Sequence, residues 1–215
     1  MSLLVGIVVW WSCVGVVSDS LWDQASRHAE MNRQSLLACQ RFYQGWLQHA
    51  DPETGLIPRN LSKDFFWNAK DSAADNYPFM VLSAFYTDRS VFDGTMRSIL
   101  ATEQRLCNRL GRLPDDWDFK VQAFRTPEYR IESLIFGAAE YAKDGLVPIT
   151  ELLGPSPWSD RMIGLLEDIW QHARIPTEVG NLPDVTHEVA GDLMQSLARV
   201  YWMTRNVQYK EWAYQ

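Results

Sequence analysis

The feature that most narrows the folds open to this chain is a repeated piece of punctuation. Gly55-Leu-Ile-Pro58, Gly111-Arg-Leu-Pro114, Gly145-Leu-Val-Pro148 and Gly180-Asn-Leu-Pro183 each follow a stretch of helical periodicity by a few residues. Glycine reaches the left-handed conformation that ends a helix, the apolar residue packs back onto it, and proline stops regrowth. Recurrence at about 35 residues, with one doubled gap, predicts repeated helix units.

Apolar residues recur at helical spacing over 24–49, 73–87, 90–107, 128–143, 159–173 and 187–204, and a seventh helix begins near Asn206. In 159–173, Met162, Ile163, Leu165, Leu166, Ile169, Trp170 and Ala173 make one apolar face, with Ser159 placed as N-cap. Connections are tight at 87–90 and 204–206. They are long, charged and aromatic at 50–72, 108–127 and 174–186. Antiparallel helix pairs gather such long loops at one end, where a helical scaffold keeps its site. The stretch 144–158 breaks this alternation, with a short helix at Ile149–Leu153. The expected class is all-α, built of antiparallel helix hairpins.

Twenty Lys and Arg stand against twenty-seven Asp and Glu, a formal charge of -7, so no phosphate-binding surface and no nucleic-acid partner is expected. Residues Met1 to Val17 carry no charged side chain and precede a small, polar Ser-Asp-Ser, the layout of a signal peptide. Residues 1–18 are therefore expected to be cleaved, leaving 19–215 as one secreted domain without a stable membrane span. Loss of Cys13 leaves Cys39 and Cys107, an even pair available for a disulfide, against the alternative of free buried thiols. Asn60-Leu-Ser62 is a glycosylation sequon.

Three segments then resemble the six-hairpin glycosidase-like superfamily: HADPETGLIPRN (49–60), DSAADNYPFMVLSAFYTD (71–88) and THEVAGDLMQSLARVYWMT (186–204). The resemblance implies an (α/α)6 toroid of about twelve helices that binds carbohydrate at its long-loop end. This chain holds about half of them and stops inside an amphipathic helix at 209–215. It is accordingly expected to be an N-terminal half, with the missing C-terminal half as a partner. The activity implied is glycoside hydrolase-like or polysaccharide lyase-like, without a cofactor. The alternative is a non-catalytic secreted helical-repeat module that binds glycan or protein.

Sugar-cleaving toroids need carboxyl groups across the scissile bond. Asp75 lies in a helix entrance with Trp67 and Tyr77 near, although Ser72 and Asp75 equally suit a capping box. Asp116 belongs to Asp115-Asp116-Trp117-Asp118, where crowded acids raise a carboxyl pKa unless solvent dissipates the effect. Asp75 and Asp116 are thus the expected acid and base, with Trp67, Trp117, Arg130, His187 and Glu188 lining the cleft. Glu188 starts a polar stripe through Asp192, Gln195 and Arg199, which is either a solvent face or a cavity wall. The four His and the Cys residues show no metal-ligand spacing, and no nucleophile-elbow or phosphate-loop motif is present.

Overall fold

Each helix of this protein starts and stops at an identifiable residue. The computed structural model describes residues 20–62 and 65–215, so the expected signal peptide lies outside the described residues. The chain divides after Ser35. Residues 20–35, exposed throughout, form the first part of α1 (Leu21–Leu47). Its later part, with Tyr43 fully buried, belongs to the unit that runs to the C-terminus.

Six further helices follow among the described residues. Helix α2 opens with a π-helical stretch, Ala69–Asn76, and continues as Tyr77–Thr87. Helix α3 runs through Arg89–Val91, a π-helical Phe92–Met96 and Arg97–Leu106. Helix α4 joins Ile131–Glu140, a π-helical Tyr141–Leu146 and Val147–Leu153. Then come α5 (Pro157–Gln171), α6 (His187–Thr204) and α7 (Val207–Tyr214). The described residues are 66% helical with a few small sheets, so the fold is α-rich where an all-α chain was expected.

The caps explain where prediction and structure part. Asn68, not Ser72, caps α2: its Oδ1 accepts from the N–H groups of Asp71 and Ser72, at 3.1 and 3.0 Å. The Ser72 hydroxyl returns the favour by accepting from Asn68 N–H, so Asp75 is no part of a capping box. Ser156, not Ser159, caps α5, with Ser159 as its reciprocal partner three residues on. Asp88 opens α3 by accepting from Ser90 and Val91 N–H.

Three of the four Gly-x-x-Pro sites have a left-handed glycine, at Gly55, Gly111 and Gly180, but each serves a turn or hairpin and not a helix end. Gly111 turns β2 (Asn108–Leu110) into β3 (Leu113–Pro114), and Gly180 sits where β6 (Ile175–Thr177) meets β7 (Gly180–Leu182). Asp51 closes the first turn by accepting from Thr54 N–H and Oγ1–H, at 2.8 and 2.7 Å, and Leu56 and Ile57 drop into the core. The fourth site is a correction: Gly145 and Pro148 lie inside α4, which ends instead at a left-handed Gly154. The π-helical stretch restarts the hydrogen-bond register at Val147, so Pro148 falls in a first turn, where a missing N–H breaks no bond. Pro78 repeats the arrangement in α2.

Because α4 runs to Leu153, only Gly154–Ser156 connects it to α5, and the alternation of tight and long connections becomes complete. Three hairpins result, α2–α3, α4–α5 and α6–α7. Helices α2, α4 and α6 pack side by side with α4 in the middle. Behind them α3 meets α5 through the stacked Phe92 and Trp158 rings, 5.2 Å apart, and α5 meets α7 through Trp170 and Trp212, 4.9 Å apart. Trp158 is fully buried, and its indole N–H donates to Tyr77 Oη at 2.9 Å, which donates on to Met96 O.

The two π-helical stretches of α2 and α4 abut. A Cβ at Gly145 would sit 2.8 Å from Ala73 O and 2.8 Å from the Tyr141 ring. Gly145→Ala is therefore expected to destabilise by about 1–3 kcal/mol in urea unfolding, despite alanine's better helix propensity; unchanged stability would contradict this close approach.

Cys39 is exposed on α1, Cys107 is fully buried after α3, and both are free, so the expected disulfide is absent. Packing in the core, not pairing, occupies Cys107. Among the described residues no helix is long and apolar enough to cross a membrane.

Candidate functional site

All three long loops lead into the N-terminal ends of α2, α4 and α6; the first two pair with each other there and the third is tied to the start of α4. Strand β1 (Phe66–Trp67) of the first loop pairs antiparallel with β4 (Trp117–Asp118) of the second, which pairs with β5 (Ala123–Phe124). The β2–β3 hairpin is pinned to α5, because buried Asp168 accepts from Arg112 Nε at 2.9 Å and Arg161 Nη1 donates to Arg112 O at 2.8 Å. From the third loop, Arg174 pairs with Glu132 at 2.5 Å.

The second loop and the starts of α2 and α4 enclose a cleft of about 430 Å³, with Lys70, Asp116, Arg125, Arg130, Ser133 and Phe136 in its wall. Ser133 and Phe136 also border a second cleft of about 240 Å³, which reaches Glu132, Asp184 and Glu188 at the start of α6. One groove thus crosses the ends of the three helices, with the half-buried Phe136 ring at its centre. Helix α4 opens without a side-chain cap, and the N–H groups of Ser133 and Leu134 donate to Arg130 O.

Of the expected residues, Asp116 and Arg130 line the first cleft and Glu188 the second. The others are corrected. Trp67 and Trp117 face each other across the β1–β4 pair and are buried, so neither offers a ring to a ligand. His187 is exposed at the start of α6 and lines neither cleft. Asp75 lies in the π-helical turn of α2 and borders a separate, mainly apolar hollow with Phe42 and Phe79. Asp75 and Asp116 therefore do not share a concavity and cannot act as a pair on one bond. Asn60, half-buried in the first loop, accepts from Ser62 N–H at 3.1 Å through Oδ1.

Asp116 is not an exposed turn residue. Burial pushes its carboxyl pKa up, with neighbouring Asp115 adding to the rise and Arg125, Lys70 and Arg59 opposing it. The crowding that the sequence suggested is real but secondary to burial. Asp115 itself accepts from Asp116 N–H at 2.9 Å and lies 4.0 Å from Arg109 Nε.

A large shift belongs to a carboxyl that the sequence did not single out. Glu140 lines neither cleft; it is half-buried one helical turn beyond Phe136 on α4, and its carboxyl pKa is pushed up to about 7. Burial is the main cause; Asp192 and Glu188 on α6 come next, and Asp144 adds to them against Lys143. The polar stripe of α6 is accordingly turned towards α4. Lys143 Nζ holds Asp192 at 2.6 Å, and Arg199 Nε donates to Glu151 at 2.7 Å. Burial pulls Lys143 down, but its bonds to Asp192 and Asp144 outweigh that and leave its pKa raised. Asp75, raised by burial and by Asp71 and Asp144, stands on the α2 side of this group. Lys143, Asp144, Asp71 and Asp75 all lie on the abutting π-helical stretches, a distortion frequent at functional sites.

Such an arrangement can hold a flat ligand face against Phe136 and present a carboxylic acid that gains or loses its proton at neutral pH. Among the described residues no three His, Cys, Asp or Glu gather to hold a metal ion. Compared with protein-family models, curated proteins and solved structures, the chain gives no match.

Proposed function

We propose that this chain is part of an (α/α)6 toroid outside the cell that binds a sugar chain across the ends of α2, α4 and α6 and cleaves it, in the manner of a glycoside hydrolase or polysaccharide lyase. The single observation that carries this reading is Glu140, an acid with a pKa of about 7 one helical turn beyond Phe136. A group with that value is protonated often enough to donate to a glycosidic oxygen and ionised often enough to be reset. Glu188, exposed on the far side of the groove, is the carboxylate assigned to activate water. Three hairpins in two rows, with every long loop at one end, support the toroid.

The test is binding and turnover of a panel of neutral and acidic oligosaccharides by the whole chain. Phe136→Ala is expected to weaken glycan binding about three- to tenfold through loss of the stacking face. Binding without turnover on every glycan would sink the reaction and favour a non-catalytic module. Absence of any binding would sink the carbohydrate reading altogether.

A further inference from the structure

The cations of the cleft over α2 and α4 are unusual in making no ion pair, although Asp115, Asp116 and Glu128 share its wall. In a chain of formal charge -7, an arginine near an acid normally pairs with it, as Arg59 does with Asp71 at 2.9 Å. Among the described residues Lys70, Arg125 and Arg130 make no ion pair, yet all three border one cleft. Two of them are held in place by rings: Lys70 Nζ is 5.3 Å from the Phe136 centroid, and the Arg125 guanidinium carbon is 3.7 Å from that of Phe66. Rings so placed restrain a cation without neutralising it.

Of the three acids of the same cleft, Glu128 is exposed at the rim and the other two are less available than the cations. Asp115 is engaged by Asp116 N–H and faces Arg109, which is outside the cleft wall. Asp116 is half-buried, and burial favours its neutral form. All three cations are exposed and keep their donors open to a ligand anion. Guanidinium and ammonium groups along one wall suit an anion fixed to a sugar ring better than a free ion, because the ring lies along the cleft while its charge meets the cations.

Building on the carbohydrate reading above, we infer that this cleft is a subsite for an acidic sugar, one carrying a carboxylate or sulfate group, held by Lys70, Arg125 and Arg130. The inference concerns which glycan is bound and not whether it is cleaved.

It is tested by calorimetric titration of the whole chain with three oligosaccharides of equal length: a neutral hexose oligomer, a uronate oligomer and a sulfated oligomer. At least one acidic oligomer is expected to bind about tenfold or more tightly than the neutral one, and raised salt should erode that margin. The two acidic arms tell a carboxylate subsite from a sulfate one. Arg130→Gln and Lys70→Gln change exposed side chains, so folding should survive, and each is expected to cut the acidic preference several-fold. Equal binding of neutral and acidic oligomers, or a preference untouched by both substitutions, overturns the subsite while leaving the carbohydrate reading standing. Binding of none of the three overturns both.

Discussion

Arg161→Met is expected to lower the unfolding free energy by about 3–5 kcal/mol at pH 7, the largest stability loss anticipated for a single side chain here. Arg161 of α5 and Glu103 of α3 form a salt bridge with both side chains about 2% exposed or less, so removing one strands the other's charge in the core. Glu103 has no other side-chain partner to fall back on, because one of its oxygens is already buried without a hydrogen bond. The loss should depend on pH in a defined direction. Burial raises the Glu103 pKa, and Arg161 is what opposes that rise. Without Arg161 the folded-state pKa climbs further above the ordinary glutamate value of 4.5, so the penalty is small below pH 4.5 and grows as pH rises towards the folded-state value. The double variant Glu103→Leu/Arg161→Met removes both charges and should recover most of the loss. It would still lack the Arg161 bond to Arg112 O, worth about 1 kcal/mol. Urea unfolding at pH 4 and pH 7 checks this, and a small, pH-independent loss in the single variant would contradict it.

Glu140→Gln is the second large expected effect. If Glu140 donates the proton, turnover of a bound glycan falls about 10²- to 10⁴-fold in the variant, while binding at the Phe136 end of the groove persists. In the parent, activity that needs protonated Glu140 declines as pH rises through about 7, and this limb disappears in Glu140→Gln. Stability should move the other way. A carboxyl whose folded pKa lies above its unfolded one costs stability as pH rises from 4.5 to about 7. The variant escapes that cost, so its melting temperature should match the parent near pH 4 and exceed it near pH 8. A structural role for Glu140 would instead lower stability at every pH.

Much of the helical frame was legible from periodicity and short connections, because amphipathic helices write their buried face into the sequence. Met162, Leu165, Leu166 and Ile169 marked α5 and are buried as expected. Elements that depend on tertiary partners were not legible. The π-helical stretch at Tyr141–Leu146 exists against the backbone of α2, so Gly145 and Pro148 looked like a helix exit when they are the means of packing two helices closely. Strands of two residues carry no periodicity, which hid the sheet that buries Trp67 and Trp117 and made both look like ligand platforms.

The site was half legible for the same reason. Asp116 and Arg130 stand on a long loop, where ionisable residues draw notice, and they line the cleft. Glu140 sits in mid-helix without a motif. Its raised pKa comes from burial and from Asp192 and Glu188, which a different hairpin delivers. The polar stripe of α6 was the one clue, since a stripe that faces a cavity must oppose something, and what it opposes is the α4 face carrying Lys143, Glu140 and Glu151.

Glu140 is tested as the poised acid by a carbon-detected NMR titration of its side-chain carboxyl in the whole chain. A midpoint of about 7 is predicted, falling in Asp192→Asn because the foremost of the neighbouring negative charges is then gone. A midpoint near the ordinary 4.5, or one that Asp192→Asn leaves in place, would contradict the assignment of Glu140 as the poised acid of the groove.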